Sequence, residues 1–185
     1  SQLEGSKAFM KDLCKKNNIP TADYGIFETY NEAYNFIKKN KMPIVVKADG
    51  LASGKGVTIC YSEKEALKSV KEILNGKFKS SKKVILEEFL DGEELSYFSI
   101  VDENSYLFFG SAQDHKRVGE GDTGPNTGGM GAYSPAPVLT YLLEEKIKKN
   151  IIEPTLNAMK MLGHPYKGFL YAGLMIIKNE PYLIE

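Results

Sequence analysis

Residues 44–57 read IVVKADGLASGKGV, and this stretch decides the fold. A β-branched run ending in Lys47 is followed by a loop with three glycines and a second lysine, Lys55. The run is typical of a buried strand, and glycines let backbone amides approach a bound anion. We predict two strands joined by a flap that closes over a triphosphate, with Gly54 and Gly56 in the flap. The simpler alternative is a tight hairpin with a solvated lysine.

Two better-known nucleotide motifs do not fit this loop. A P-loop has four residues between its glycines and then Lys-Ser/Thr. Here Gly50 and Gly54 enclose three residues, and Gly56 follows Lys55. A dinucleotide fingerprint would need a third glycine where Ile59 stands, and it would open a helix rather than a strand.

Outward from this stretch, strand and helix patterns alternate along the chain. Capping boxes at 29–32 and 62–65 predict two helix starts, and Pro154 should bend or restart a helix over 139–162. Residues 111–137 show little periodicity. Because several predicted strands are joined by short turns, the sheets should be antiparallel or mixed and the fold class α+β.

Composition narrows the class of protein. The chain has 185 residues, 24 basic and 24 acidic, so its net charge is zero. No basic block indicates nucleic-acid binding, and the longest uncharged run, 123–143, is too rich in Gly and Pro to span a membrane. Cys14 and Cys60 form no CxxC motif, which favours a reducing cytoplasm. Because the chain begins at Ser1 and stops within a strand pattern at Glu185, we expect a piece of a longer protein.

A second candidate site is the stretch 85–96, ILEEFLDGEELS. Apolar residues at the end of a strand can pack on a base, and backbone groups can read the edge of adenine. A carboxylate a few residues on can accept hydrogen bonds from ribose hydroxyls. The alternative is an ordinary solvated acidic turn.

A third candidate site is 113–131, QDHKRVGEGDTGPNTGGMG. Long aperiodic loops inside compact domains are usually functional. The amides of residues 127–129, with Lys116 or Arg117, can hold a phosphate or acyl phosphate. A flexible linker is the alternative. Histidines occur only at 115 and 164, which argues against zinc catalysis, and Glu185 can bind Mg²⁺ only if a second ligand follows.

These blocks, in this order, resemble the ATP-grasp superfamily and, more narrowly, the phosphoribosylamine–glycine ligases of purine biosynthesis. The segments that carry the resemblance are 2–7, 46–57, 87–94, 111–118, 122–135 and 168–175. The resemblance implies two α+β lobes, residues 1–89 with the flap and residues 90–185 with the catalytic sheet, clamping ATP between them. It also implies that further N- and C-terminal parts of the same enzyme are needed for activity.

The resemblance also implies a reaction. ATP phosphorylates the carboxylate of glycine, and the amine of 5-phosphoribosylamine displaces phosphate from glycyl phosphate to give glycinamide ribonucleotide. Lys47 and Lys55 would contact the phosphates, Glu94 the ribose, and Glu185 an Mg²⁺ or Mn²⁺ ion. The adenine edge would come from Glu87, Glu88, Phe89 and Leu90. The residues expected to handle the reacting groups are Asp114, Lys116, Arg117, Asn126 and Gly128.

Two other functions are compatible with the same nucleotide-binding motifs. A non-catalytic sensor of adenine nucleotides could use the same cleft, but it could dispense with Asp114, Lys116 and the loop 126–131, which we call the acceptor loop. Another ATP-grasp ligase would share the ATP site and differ in that loop.

Overall fold

The computed structural model describes residues 2–50, 56–78, 81–103, 105–121, 123–127 and 129–185, with the backbone alone at 117, 125 and 126. Contacts divide the chain into two compact units. The first unit comprises Ser1–Asp12 and Ala22–Leu90, and the second comprises Leu13–Thr21 and Asp91–Glu185. The assignment of 1–89 and 90–185 to two ATP-grasp lobes stays a prediction. None of the described helices is long and apolar enough to cross a bilayer.

The first unit is a four-stranded antiparallel sheet with helices. Its strands stand in the order β1-β4-β2-β3. The elements in chain order are α1 (Gln2–Gly5), α2 (Lys7–Lys16, which continues into the second unit), β1 (Tyr24–Phe27), α3 (Tyr30–Lys39), β2 (Ile44–Ala48), β3 (Val57–Cys60), α4 (Glu63–Leu74) and β4 (Val84–Glu88).

One face of this sheet forms a hydrophobic core with α3 and α4. Both helices begin at the predicted capping boxes, where Thr29 accepts from the amide of Glu32 and Ser62 from that of Glu65. The buried core residues include Ala33, Ile37, Ile44, Val46, Ala48, Ala66, Val70, Val84 and Leu86. Because side chains alternate along a strand, the remaining residues of β2 and β4 lie on the opposite face of the sheet.

The second unit contains a five-stranded antiparallel sheet of order β11-β10-β5-β6-β9 and a separate β7-β8 hairpin. The elements are β5 (Glu93–Val101), β6 (Tyr106–Asp114), β7 (Arg117–Gly119), β8 (Thr123–Asn126), β9 (Ala132–Tyr133), α5 (Tyr141–Ile147), a π-helical turn (Lys148–Ile152), α6 (Glu153–Met161), β10 (Gly168–Ile177) and β11 (Glu180–Leu183). Antiparallel sheets with interspersed helices confirm the α+β class.

Two sequence expectations in this unit have different outcomes. A change of helix type is present at Pro154, because α6 begins at Glu153 after the π-helical turn, but the backbone angles at Lys148, Ile152 and Glu153 stay helical and the helix does not restart. The interpretation of 113–131 as a long loop is wrong in part, because β6 continues to Asp114 and β7 and β8 form a hairpin within this stretch. Gly121, at a φ of 67°, lies in the turn of the β7-β8 hairpin. This hairpin is held by backbone pairing rather than by an apolar face, and its sequence therefore shows no alternation.

Candidate active site

Lys47 and Glu87 lie together on the sheet face opposite the helical core. Strands β2 and β4 pair Val45 with Glu87, and Lys47 is two residues further along β2. The two side chains are therefore diagonal neighbours on one face. Nζ of Lys47 lies 3.0 Å from Oε2 of Glu87, and both side chains are buried.

A third charged residue, Lys11 of α2, completes this cluster. Its Nζ lies 2.9 Å from the same Oε2 atom of Glu87, and its side chain is fully buried. The ammonium also lies 5.7 Å from the centre of the Tyr24 ring, within cation–π range. Two lysines thus share one carboxylate, and we call Lys11, Lys47 and Glu87 the buried triad.

The other oxygen of Glu87 is a buried acceptor. Among the residues that the structure describes, Oε1 of Glu87 has no hydrogen-bond partner. Buried polar atoms are nearly always hydrogen-bonded, and an unpaired one in a native fold needs an explanation. A donor group of a bound ligand would supply one.

The glycine-rich loop starts from a fixed point. Asp49 accepts hydrogen bonds from the Ser6 hydroxyl and the Ala8 amide, both at 3.1 Å, so it ties the loop to the start of α2. The Lys7 ammonium donates to the Gly50 carbonyl at 2.9 Å. On the other side of the loop, the Gly56 carbonyl accepts from the Ala48 amide at 2.8 Å. Because β2 pairs antiparallel with β3, the predicted strand–loop–strand hairpin is confirmed.

The tip of this loop, 51–55, lies outside the described residues. The roles expected for Gly54 and Lys55 therefore stay predictions. Gly56, the last glycine of the motif, is buried next to β3.

The segment 87–90 leaves the sheet at the end of β4. Glu87 is 2% exposed, Glu88 is exposed, and Phe89 and Leu90 are half-buried. The Glu88 amide donates to the Asp23 carbonyl at 2.8 Å. Glu87 is thus a buried ion-pair partner rather than part of a solvated acidic turn.

In the second unit, Glu94, Asp114 and Lys116 form a partly exposed cluster. Lys116 is hydrogen-bonded to Oε2 of Glu94, and its Nζ lies 3.9 Å from Oδ1 of Asp114. Burial acts to lower the pKa of Lys116, but the hydrogen bond and charge of Glu94, with the charge of Asp114, raise that pKa above its ordinary value. We call these three residues the surface triad.

The acceptor loop is stabilised by its own hydrogen bonds. The Thr127 amide and hydroxyl both donate to the Lys116 carbonyl, at 2.7 and 2.9 Å. The Gly129 amide donates to the Thr127 hydroxyl at 3.0 Å. Two of the three amides expected to hold a phosphate are therefore used within the loop, and Gly128 lies outside the described residues. Arg117 and Asn126 are paired across the β7-β8 hairpin.

Glu185 follows β11 and is exposed. Its carbonyl accepts from the Gly173 amide at 2.9 Å, which holds it beside β10. Tyr171 of β10 has a pKa raised mainly by burial, with a smaller contribution from the charge of Glu185. Within the described ranges, no group of three or more His, Cys, Asp or Glu side chains is arranged to hold a metal ion.

Sequence reasoning gave no role to Lys7, although segment 2–7 carries part of the resemblance, and did not single out Lys11. Lys11 stands among apolar residues of α2, between Met10 and Leu13, and a lysine embedded in such a stretch was the available signal. Its partner, Glu87, is distant in sequence, so the pairing depends on the fold.

The fold of the chain is shared with a known class of ligases. Besides the antiparallel α+β architecture, the chain shares its fold with a solved D-alanine–D-alanine ligase from Helicobacter pylori at a TM-score of 0.70 and 23% identity, over 99% of this chain and 53% of that one. At that identity the likeness shows the fold alone. The family model that matches the chain is described as an ATP-grasp domain, and the chain has the ATP-grasp fold.

The particular family follows from sequence similarity. The family model described as phosphoribosylglycinamide synthetase, ATP-grasp (A) domain, matches residues 5–185, and the chain belongs to that family. A phosphoribosylamine–glycine ligase of Brucella melitensis is 54% identical over all of this chain and 44% of its own length. The solved ligase from Thermotoga maritima has a TM-score of 0.91 at 38% identity, over all of this chain and 47% of that one. The chain thus spans less than half the length of these relatives.

Proposed function

We propose that this chain is the ATP-binding part of a phosphoribosylamine–glycine ligase of purine biosynthesis. In this reaction ATP and glycine give glycyl phosphate and ADP, and the amine of 5-phosphoribosylamine then displaces phosphate to form the amide. The observation that carries the proposal is the position of Lys47. This lysine is held at the end of β2, where the glycine-rich loop begins, in a cluster with excess positive charge.

The proposed roles in the first unit follow from charge and hydrogen bonding. Phosphoryl transfer depends on positioning and on neutralising charge more than on covalent help from the protein. Lys47 and Lys55 would neutralise phosphate oxygens, while Gly54 and Gly56 would let backbone approach them. Backbone groups of residues 87–90 would read the edge of adenine, and Phe89 and Leu90 would pack on the base.

In the second unit, Glu94 would accept from ribose hydroxyls. Asp114, Lys116, Arg117, Asn126 and Gly128 would handle the carboxylate and amine that react. Glu94 is engaged by Lys116, so nucleotide binding would exchange that ion pair for ribose contacts. Because both side chains are more than a third exposed, breaking the pair costs little free energy.

The metal would be Mg²⁺ or Mn²⁺. Glu185 offers an exposed carboxylate, the hard oxygen ligand that Mg²⁺ prefers, and Mg²⁺ commonly takes few protein ligands beside phosphate oxygens and water. When bound, the ion would neutralise charge on the triphosphate. Further ligands, and the parts that bind the other substrates, would come from the rest of the longer polypeptide.

We place the enzyme in the cytoplasm. Neither Cys14 nor Cys60 forms a disulfide and both are buried, as expected of small apolar side chains in a reducing compartment.

An isotope experiment on a full-length ligase containing this chain tests the proposal. Glycine labelled with heavy oxygen in its carboxylate is supplied with ATP and 5-phosphoribosylamine, and the released phosphate is analysed by mass spectrometry. Because glycyl phosphate passes one carboxylate oxygen to phosphate, one labelled oxygen per phosphate is expected. Unlabelled phosphate, or ADP release that does not depend on glycine, would contradict the proposal.

Matched variants link the label transfer to the site. Lys47→Met should abolish most of it, whereas Lys41→Met, which removes an exposed lysine just before the same strand, should leave it unchanged.

A further inference from the structure

Lys11 has no part in the ligand contacts proposed above, yet its ammonium is fully buried. Removing a charged group from water costs several kcal/mol unless other charges compensate for it. The compensation comes from Oε2 of Glu87 at 2.9 Å and from the face of the Tyr24 ring. Tyr24 is in turn oriented by a hydrogen bond from its hydroxyl to Asp12 at 2.9 Å.

The charge balance of the buried triad suggests what Lys11 does. Lys47 and Glu87 alone would form a neutral pair, in which the carboxylate competes with any phosphate for the Lys47 ammonium. The second ammonium on the same oxygen leaves the triad with one net positive charge. Lys11 thus offsets the charge of the carboxylate and leaves the charge of Lys47 to an anion, and in a buried setting that charge is weakly screened.

Lys47 is more exposed than Lys11, as expected if Lys47 contacts the ligand and Lys11 stays on Glu87. The Lys47 side chain is 8% exposed, whereas that of Lys11 is 0% exposed. Lys47 is thus the more exposed of the two lysines, and it lies at the root of the glycine-rich loop. When Lys47 turns towards a phosphate, Lys11 still neutralises Glu87, so no buried carboxylate is left without a partner.

We propose that Lys11 is a positioning residue that compensates Glu87 and thereby keeps the charge of Lys47 available for the phosphates of a nucleoside triphosphate. This inference rests on the proposed function. It predicts that Lys11 acts on the phosphates, and not on the base or sugar, and that it acts only through Glu87.

A double-mutant cycle in a full-length ligase containing this chain tests both points. The four proteins are wild type, Lys11→Met, Glu87→Gln and the double variant, each titrated with ATP and with adenosine by calorimetry. Lys11→Met should raise the Kd for ATP roughly tenfold and the Kd for adenosine less than about twofold. In the Glu87→Gln background, adding Lys11→Met should change the ATP Kd by less than about twofold. Lys16→Met, an exposed lysine of the same helix, is the control and should change neither.

The outcomes separate a positioning role from a structural one. Equal losses of ATP and adenosine affinity in Lys11→Met, or an undiminished effect in the Glu87→Gln background, would overturn the inference. If wild type binds no ATP, the proposed function fails with it. If wild type binds ATP and Lys11→Met binds it equally well, the inference alone fails.

A structure of the wild-type enzyme with a non-hydrolysable ATP analogue tests the role of Lys11 even if a variant does not fold. We expect Lys11 to remain on Glu87 while the Lys47 ammonium contacts a phosphate oxygen. An ATP complex in which Lys11 has left Glu87, or in which Lys47 contacts only Glu87, would overturn the inference.

Discussion

The buried triad and the surface triad have opposite ratios of lysines to carboxylates. In the first unit two lysines share one carboxylate, and all three side chains are at most 8% exposed. In the second unit two carboxylates share one lysine, whose side chain is 39% exposed. One triad is therefore a net cation and the other a net anion. Solvent screens the second but hardly the first, so the Lys11–Glu87 pair is fixed by folding, while the surface triad as a whole can exchange partners when a ligand arrives.

The largest loss of stability is expected from a substitution in the buried triad. Glu87→Gln removes the carboxylate that two buried lysines share, and we expect unfolding to become easier by roughly 3–5 kcal/mol, because two ammonium groups lose their counter-charge. Denaturant unfolding measures this loss. Glu88→Gln, the exposed neighbour, is the matched control and should lie within about 0.5 kcal/mol of wild type. Equal losses in the two variants would mean that the triad does not stabilise the fold.

An intermediate effect is expected at the root of the glycine-rich loop. Asp49→Ala removes the acceptor of the Ser6 hydroxyl and the Ala8 amide and should cost about 1–2 kcal/mol in unfolding free energy. Asp49→Asn keeps an oxygen acceptor at that position and should cost less than half as much. If the asparagine variant is as unstable as the alanine variant, the hydrogen bonds to α2 are not what holds Asp49.

The smallest loss of stability is expected from a substitution in the surface triad. Lys116→Met should lower the unfolding free energy by less than about 1 kcal/mol, and the difference from wild type should shrink as salt is added, because the pair is solvent-screened. A loss that exceeds that of Glu87→Gln, or one that salt does not reduce, would reverse the comparison.

The pH dependence of the same variant has a definite sign. The folded pKa of Lys116 is raised, so its stabilising contribution is fully present below the ordinary value of 10.5 and is lost as pH rises through the raised value. The difference between wild type and Lys116→Met should therefore be constant below the ordinary pKa and decline above it. A difference that grows in that alkaline range would mean that the pKa shift has the opposite direction.

Much of the first unit could be predicted from local sequence. The capping residues Thr29 and Ser62 form hydrogen bonds within a few residues, so the sequence that makes each helix start is contiguous. The strand ending at Lys47, the loop and the strand after it are likewise local. Lys11 was missed because its burial depends on Glu87, a residue of another strand that only the folded sheet brings near it.

The surface triad could not be predicted for a different reason. Glu94 and Lys116 flank the β5-β6 hairpin, so their meeting depends on strand register. The register shifts between Phe98 and Ser99, and a one-residue shift moves side chains to the opposite face of a strand. Nothing in the local pattern marks that bulge. The sequence therefore identified both residues as candidates and gave them separate roles.

The most direct test of the phosphate site is a nucleotide series on Lys47→Met in a full-length ligase containing this chain. The Kd values of ATP, ADP, AMP and adenosine are measured for this variant, for wild type and for the exposed control Lys41→Met. We expect the loss of affinity in Lys47→Met to grow with the number of phosphates, to about tenfold or more for ATP, and to be absent for adenosine. A loss of the same size for all four ligands, or an unchanged ATP affinity, would contradict the assignment of Lys47 to the phosphates.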